Sequence, residues 1–313
     1  MRKQITPKTI RKRKGDKERI SLVTAYDYPM ARWANASEID IIFVSDALAT
    51  VGLGRENTLS VTVDEIIYHT RAVKSGSGQC LVLASMPFMS HSTPEEAVHN
   101  ATRLIKEGGA HAVEIEGSRE TAKTIRAIAK AGIPVIGHVG LTKYIASSTG
   151  HYINQGKTTK SAIDIIDDAL AFEKAGAFAI VVECVPEKIA GILTDCVDVP
   201  TIGFGAGREC DGQALVSQDM LGMFDKFCPK FVKRFADFTS TATGAFSAFK
   251  WDVEKGAFPG EEHVVPVEDA VADEVGAHFA EKRNKKNKKD TSPVNSKNKK
   301  RKKQKNARIL RAV

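Results

Sequence analysis

The feature that most limits what this chain can fold into is an alternation of two periodicities. Short apolar runs rich in Val and Ile occur at 20–25, 40–45, 80–84, 111–116, 133–137, 178–183 and 200–204. Between them, segments such as PEEAVHNATRLIKEGG and TKSAIDIIDDALAFEKAG place apolar residues at i, i+3, i+4 and i+7, the spacing of an amphipathic helix. Strands that alternate with helices build a parallel sheet, because each crossover carries a helix back over a face of the sheet. The strand segments are nearly continuous in apolar character, which suits burial on both faces. Glycine follows the helical segments at 108–110 (GGA), 131–133 (AGI) and 175–177 (AGA), where an αβ loop needs a helix C-cap. The predicted class is therefore α/β, a closed (β/α)8 TIM barrel, with an eighth strand weakly signalled near Lys230–Lys233.

Charge divides the chain further. From Lys282 to Val313 there are fifteen Lys or Arg and one acid, Asp290, a net of +14; the whole chain is +8, so the other 281 residues sum to −6. The expected organisation is a barrel over 1–265, a linker or helix over 266–281 and a basic, disordered tail over 282–313. Such a tail reads first as a solvated extension and second as a contact for RNA or another polyanion, although no interleaved aromatic residues support a specific site. The five cysteines are scattered and never spaced as C-x-x-C, which points to a reducing compartment, with cytoplasm as the expected location. No stretch offers itself as a membrane span.

The polar residues that interrupt or end the apolar runs carry the functional reading, since barrels of this kind place chemistry at the carboxyl ends of their strands. They are Asp27, Asp46, Ser85, Glu114, Glu116, His138 and Glu183. Taken singly, each also reads as a helix cap, a turn or an ion pair, and His138 as a satisfied structural histidine. Together they suggest a shared mouth. Carboxylates beside neutral oxygens suit Mg²⁺, which accepts one or two protein ligands plus substrate oxygens. A cation there would acidify a C–H beside the carbonyl of a 2-oxo acid, and Glu183 is placed to act as the base. The IGFGAG run at 202–207 lacks the full dinucleotide-binding pattern and reads as a loop whose glycines let backbone come close to a substrate or to neighbouring strands.

From about Ile5 to Val265 the sequence resembles the ketopantoate hydroxymethyltransferases of pantothenate biosynthesis. The resemblance rests on TAYDYPMA, VSDALATVGLG, TLSVTVDEIIYHTRAV, MPFMS, EIEG, GIPVIGHVGLT, ECVPEKIA, IGFGAGRECDGQALVSQDMLG, PKFVKRF and FPGEEH. It implies a barrel of the phosphoenolpyruvate/pyruvate-like type, commonly a homodecamer, using Mg²⁺. The implied reaction moves a hydroxymethyl group from 5,10-methylenetetrahydrofolate onto the 2-oxo acid 3-methyl-2-oxobutanoate. By the same resemblance Asp46 is a metal and substrate ligand, Glu116 a metal-associated glutamate, Glu183 the general base and His138 a pocket histidine.

Several positions depart from that pattern. Ser85 stands where the family has a second metal-binding Asp, and Glu114 where it has a substrate-binding Lys. Ala47 replaces a substrate-contacting serine in a block that reads Val44-Ser45-Asp46-Ala47-Leu48-Ala49. The metal set expected here is Asp46, Ser85 and Glu116, and the substrate set is Asp46, Ala47, Ser85, Glu114 and His138. Lys143 is a candidate replacement for the missing cation. Two other readings of the departures are a related 2-oxo acid C–C lyase and a non-catalytic homologue that binds a polyanion through its tail.

Overall fold

The structure is a computed structural model that describes residues 2–142, 153–224 and 228–290. Eight parallel strands close into one barrel in sequence order. They are β1 (Ile20–Thr24), β2 (Ile41–Val44), β3 (Leu81–Ser85), β4 (Ala112–Glu116), β5 (Val135–Gly140), β6 (Ala179–Glu183), β7 (Thr201–Phe204) and β8 (Gly212–Leu215). The ring is completed by β1 pairing with β8, with Leu22 opposite Ala214.

The seven predicted strands are all present, but the eighth is not at Lys230–Lys233, where the chain only turns. It is the four-residue GQAL segment, which lacks an apolar run because only Gly212 and Ala214 are buried. Gly212 is required there, since a Cβ would come within 2.5 Å of the Ile20 carbonyl oxygen. Strand β5 also runs further than expected, so His138 lies inside it rather than beyond its end.

Helices between the strands start at the polar residues that precede each apolar stripe. Thr62 caps the helix Val63–Gly76 in a reciprocal box with Glu65, and Thr93 and Thr158 cap Pro94–Lys106 and Thr159–Ala175. The last of these ends at Gly176, whose φ of 110° is open to glycine and costly for other residues. Its Phe172 packs so tightly on β5 that a Cβ on Gly137 would sit 2.5 Å from the ring.

Two apolar bodies result, one on each face of the barrel wall. Outward-facing Ile42, Val82, Val113, Val135 and Ile180 pack against the helices. Inward-facing Ile20, Leu22, Ile41, Phe43, Leu81, Leu83, Ala112, Ile136, Ala179 and Ile202 fill the interior together with Ile5 and Ile10. The helix Pro7–Asp16 thus closes the amino end of the barrel. Its Arg13 and the nearby Arg2 reach the buried Asp40 at 2.7 and 2.8 Å, and Lys14 reaches the Thr194 carbonyl at 2.6 Å.

Residues Met1–Ala242 form one compact unit and Thr243–Val313 a second. The boundary falls within the helix Phe238–Lys255, earlier than residue 265. In the second unit Phe249 meets Phe258 edge to face, and a further helix spans Asp269–Asp290. That helix takes in the expected linker from Asp269 onward and continues past Lys282, as Lys-rich and Glu-rich stretches have good helix propensity. Residues 291–313 of the expected tail lie outside the described residues, as does Lys143.

Candidate active site

Strand parity decides which polar side chains share the barrel interior. In β1 to β6 the inward positions run apolar at the amino end and polar at the carboxyl end: Leu22 then Thr24, Leu83 then Ser85, Ala112 then Glu114 and Glu116, Ile136 then His138, Val181 then Glu183. Ser85 and Glu114 are direct partners in the β3–β4 ladder, and Glu116 faces His138 in the β4–β5 ladder. Each strand is offset from the last, so a long side chain reaches diagonally to its neighbour.

These offsets join four strands by one line of contacts. Ser85 Oγ donates to Glu114 Oε2 at 2.8 Å, and Glu114 Oε1 accepts from His138 Nδ1 at 2.7 Å. His138 Nε2 then lies 3.0 Å from Glu183 Oε2, at ion-pair distance but short of hydrogen-bond alignment. Ser85 is fully buried and Glu114 is 1% exposed, whereas the Glu183 side chain keeps 19%. Glu183 is thus the member of the line that faces the open mouth. Burial works against a charge on the His138 ring, but the hydrogen bond to Glu114 and the contact with Glu183 outweigh it and push its pKa up to about 10.

The backbone around Glu183 is built to bring β5 and β6 together. Gly140 has a φ of 98°, and a Cβ on it would meet the Glu183 carbonyl oxygen at 2.2 Å. The next residue, Cys184, adopts a φ of 52°, a region that L-residues other than Asn and Asp seldom occupy. Its amide donates to Phe204 and its carbonyl accepts from Gln155, which holds the turn. The buried Cys184 thiol is pushed up to about 12, first by burial and then by the Glu183 charge.

The other predicted residues sort differently. Asp27 caps the helix Tyr28–Ala36 by accepting from the Met30 amide at 2.8 Å and is exposed, so the capping role wins at that position. Asp46 and Ala47 follow β2 and are half-buried at the start of the short π-helical turn Leu48–Gly52, whose cap position is Ala47. Gly205 and Gly207 in the IGFGAG loop have φ values of 66° and 79° and lie against Phe231 and Glu187, so their close approach is to neighbouring side chains.

Sequence reasoning passed over Thr24, Tyr26 and Ser45. Thr24 accepts from the Ser217 amide, tying the end of β1 to the segment after β8. The Tyr26 hydroxyl contacts Ser45 Oγ at 2.8 Å, and burial raises the phenol above its usual range. Parity with Leu22 and Phe43 is the signal that places Thr24 and Ser45 inside.

Donor chemistry sets what this interior can hold. Glu114, Glu116 and His138 offer ligand atoms that all lie within 4.8 Å of one another, and all three are buried. Buried carboxylates need compensating charge, so a divalent cation fits. Glu114 and His138 also hydrogen-bond each other, so any ion here would share them with that contact.

Comparison with known proteins bears on this geometry. The profile of the family described as ketopantoate hydroxymethyltransferase matches residues 4–261. A 3-methyl-2-oxobutanoate hydroxymethyltransferase of Clostridium beijerinckii is 49% identical over 262 residues, covering 83% of this chain and 95% of that one. One from Clostridium botulinum is 51% identical over 259 residues, covering 82% and 94%. Among solved structures, a phosphoenolpyruvate phosphomutase from Streptomyces platensis subsp. rosaceus superposes with a TM-score of 0.55 at 15% identity, over 90% of this chain and 99% of that one. A 2,3-dimethylmalate lyase of the PEP mutase/isocitrate lyase superfamily gives 0.52 at 14%, over 87% and 98%. Identities so low speak for the shared barrel and not for a shared reaction. The extent and identity of the sequence matches, on a closed eight-stranded barrel, establish that this chain belongs to the ketopantoate hydroxymethyltransferase family.

Proposed function

We propose that the protein is a 3-methyl-2-oxobutanoate hydroxymethyltransferase, forming 2-dehydropantoate with 5,10-methylenetetrahydrofolate as the one-carbon donor. The observation that carries this reading is the line Ser85, Glu114, His138, Glu183 at the carboxyl end of the barrel, in a chain of that family. It places a half-open carboxylate next to buried polar groups that exclude bulk water. Mg²⁺ held by Asp46, Ser85 and Glu116 would draw charge from the substrate carbonyl and lower the barrier to breaking the adjacent C–H bond.

Every other step belongs to the chain itself. Glu183 takes the proton from the carbon beside the carbonyl, leaving the bonding pair on the substrate as an enolate. That carbon then bonds to the methylene of the folate as its bonds to the two folate nitrogens break; water supplies the hydroxyl oxygen, and the two nitrogens take up the protons released by Glu183 and water, so tetrahydrofolate leaves. His138 lines the pocket under the base, and the Asp46-Ala47 turn contributes backbone to the substrate from β2. Ala47 offers no hydroxyl, so the substrate contact there is with the main chain. The free cysteines suit a cytoplasmic enzyme, and by family resemblance the working form is a homo-oligomer. The C–C lyase alternative rests on fold likeness alone.

The test is direct: purified protein with 3-methyl-2-oxobutanoate, the folate and Mg²⁺ should form 2-dehydropantoate, and Glu183→Gln should not. No product at high enzyme, beside an active relative, would overturn the reading.

A further inference from the structure

The line of contacts contains two residues that differ from what the family resemblance implies, Ser85 and Glu114, and they are each other's ladder partner. Their hydrogen bond fixes Glu114 Oε2, which leaves Oε1 pointed at His138 Nδ1. A carboxylate facing Nδ1 can only accept, so this nitrogen carries the proton and the ring plane is set. The other ring nitrogen is thereby directed to Glu183, the only carboxylate of the line with an exposed face. Glu114 itself is 1% exposed and is too enclosed to meet a substrate directly.

From this geometry we infer that Glu114 is a positioning residue for the base. With Ser85 it holds the Nδ1 proton and the ring orientation of His138, and through His138 it holds the Glu183 carboxylate in place for proton abstraction. The inference rests on the reading of Glu183 as the base. It assigns to Glu114 and Ser85 a joint role that acts through His138 instead of through direct contact with the 2-oxo acid.

Exchange of the substrate's C3 hydrogen in D2O isolates the step concerned, and ¹⁵N NMR of histidine-labelled protein reads His138 without turnover. Glu114→Ala should slow exchange by about tenfold or more, since a hydrogen bond to a charged group is lost, while KM for 3-methyl-2-oxobutanoate moves less than about threefold. Glu114→Gln, which keeps an acceptor oxygen, should recover most of the rate. Ser85→Ala should fall between the wild type and Glu114→Ala. In the NMR spectrum the hydrogen-bonded Nδ1–H signal of the wild type should persist in Glu114→Gln and vanish in Glu114→Ala.

An unchanged Nδ1 signal in Glu114→Ala, or Glu114→Gln as slow as Glu114→Ala, overturns the positioning role. If Glu114→Ala does not fold, Glu114→Gln and Ser85→Ala carry the comparison. Absence of exchange in the wild type counts against the proposed reaction instead, and the NMR comparison still decides whether Glu114 orients His138.

Discussion

His138 shows how far a single side chain departs from its ordinary chemistry when the barrel encloses it. Its folded pKa is raised to about 10 from an unfolded value near 6.5. The protonated ring therefore contributes stability that is fully present below about 6.5 and is lost as pH climbs through the folded value. Denaturation midpoints measured with a chelator present should fall between about pH 7 and pH 10. His138→Gln should flatten that dependence, and an equal slope in both proteins would show that other groups dominate it. The sequence displayed every ionisable member of this line, because each sits at or near the end of an apolar run. It did not display the contacts among them. Glu114 and His138 are separated by 24 positions and meet through the offset between β4 and β5, a quantity that residue types alone do not specify. For the same reason Asp27, as polar and as well placed in the linear order, turned out to cap a helix.

Strands and helices were legible where hydrophobic patterning was strong and not where close packing replaced it. Strand β8 exists because Gly212 lets it approach Ile20, and a glycine leaves no hydrophobic trace in a sequence. Strands β5 and β6 meet by a related device. Gly140 has a positive φ and is 2.2 Å, through its absent Cβ, from the Glu183 carbonyl. Gly140→Ala should destabilise the fold by about 1–3 kcal/mol, because a methyl group has neither room nor a permitted conformation there. Urea titration measures the loss. The same substitution should lower turnover more than it raises KM, since the displaced backbone carries Glu183. Wild-type stability in this variant would mean that β5 can relax away from β6 without cost.

The barrel as an assembled body depends on the contacts that seal its amino end. Asp40 is 5% exposed and binds Arg2, Arg13 and the backbone and side chain of Ser21. Asp40→Ala removes the closer and buried counter-ion of Arg13, leaving it only the exposed Glu18 at 3.6 Å, and should cost on the order of 3 kcal/mol while leaving the affinity for small ligands unchanged. Thermal unfolding together with KM for the 2-oxo acid would separate those two effects. An unchanged melting temperature would mean that the amino-terminal helix contributes little to holding the barrel shut.

That closure has a kinetic corollary. Ile5 and Ile10 join the inward-facing apolar cluster, so among the described residues the amino end of the barrel is packed with hydrocarbon and the polar end is the opposite one. If the proposed folate joins the 2-oxo acid at that end, the smaller reactant has to enter before the bulkier one settles above it. Departure must then run in reverse, and an excess of the pterin compound added first should trap empty protein in an unproductive queue.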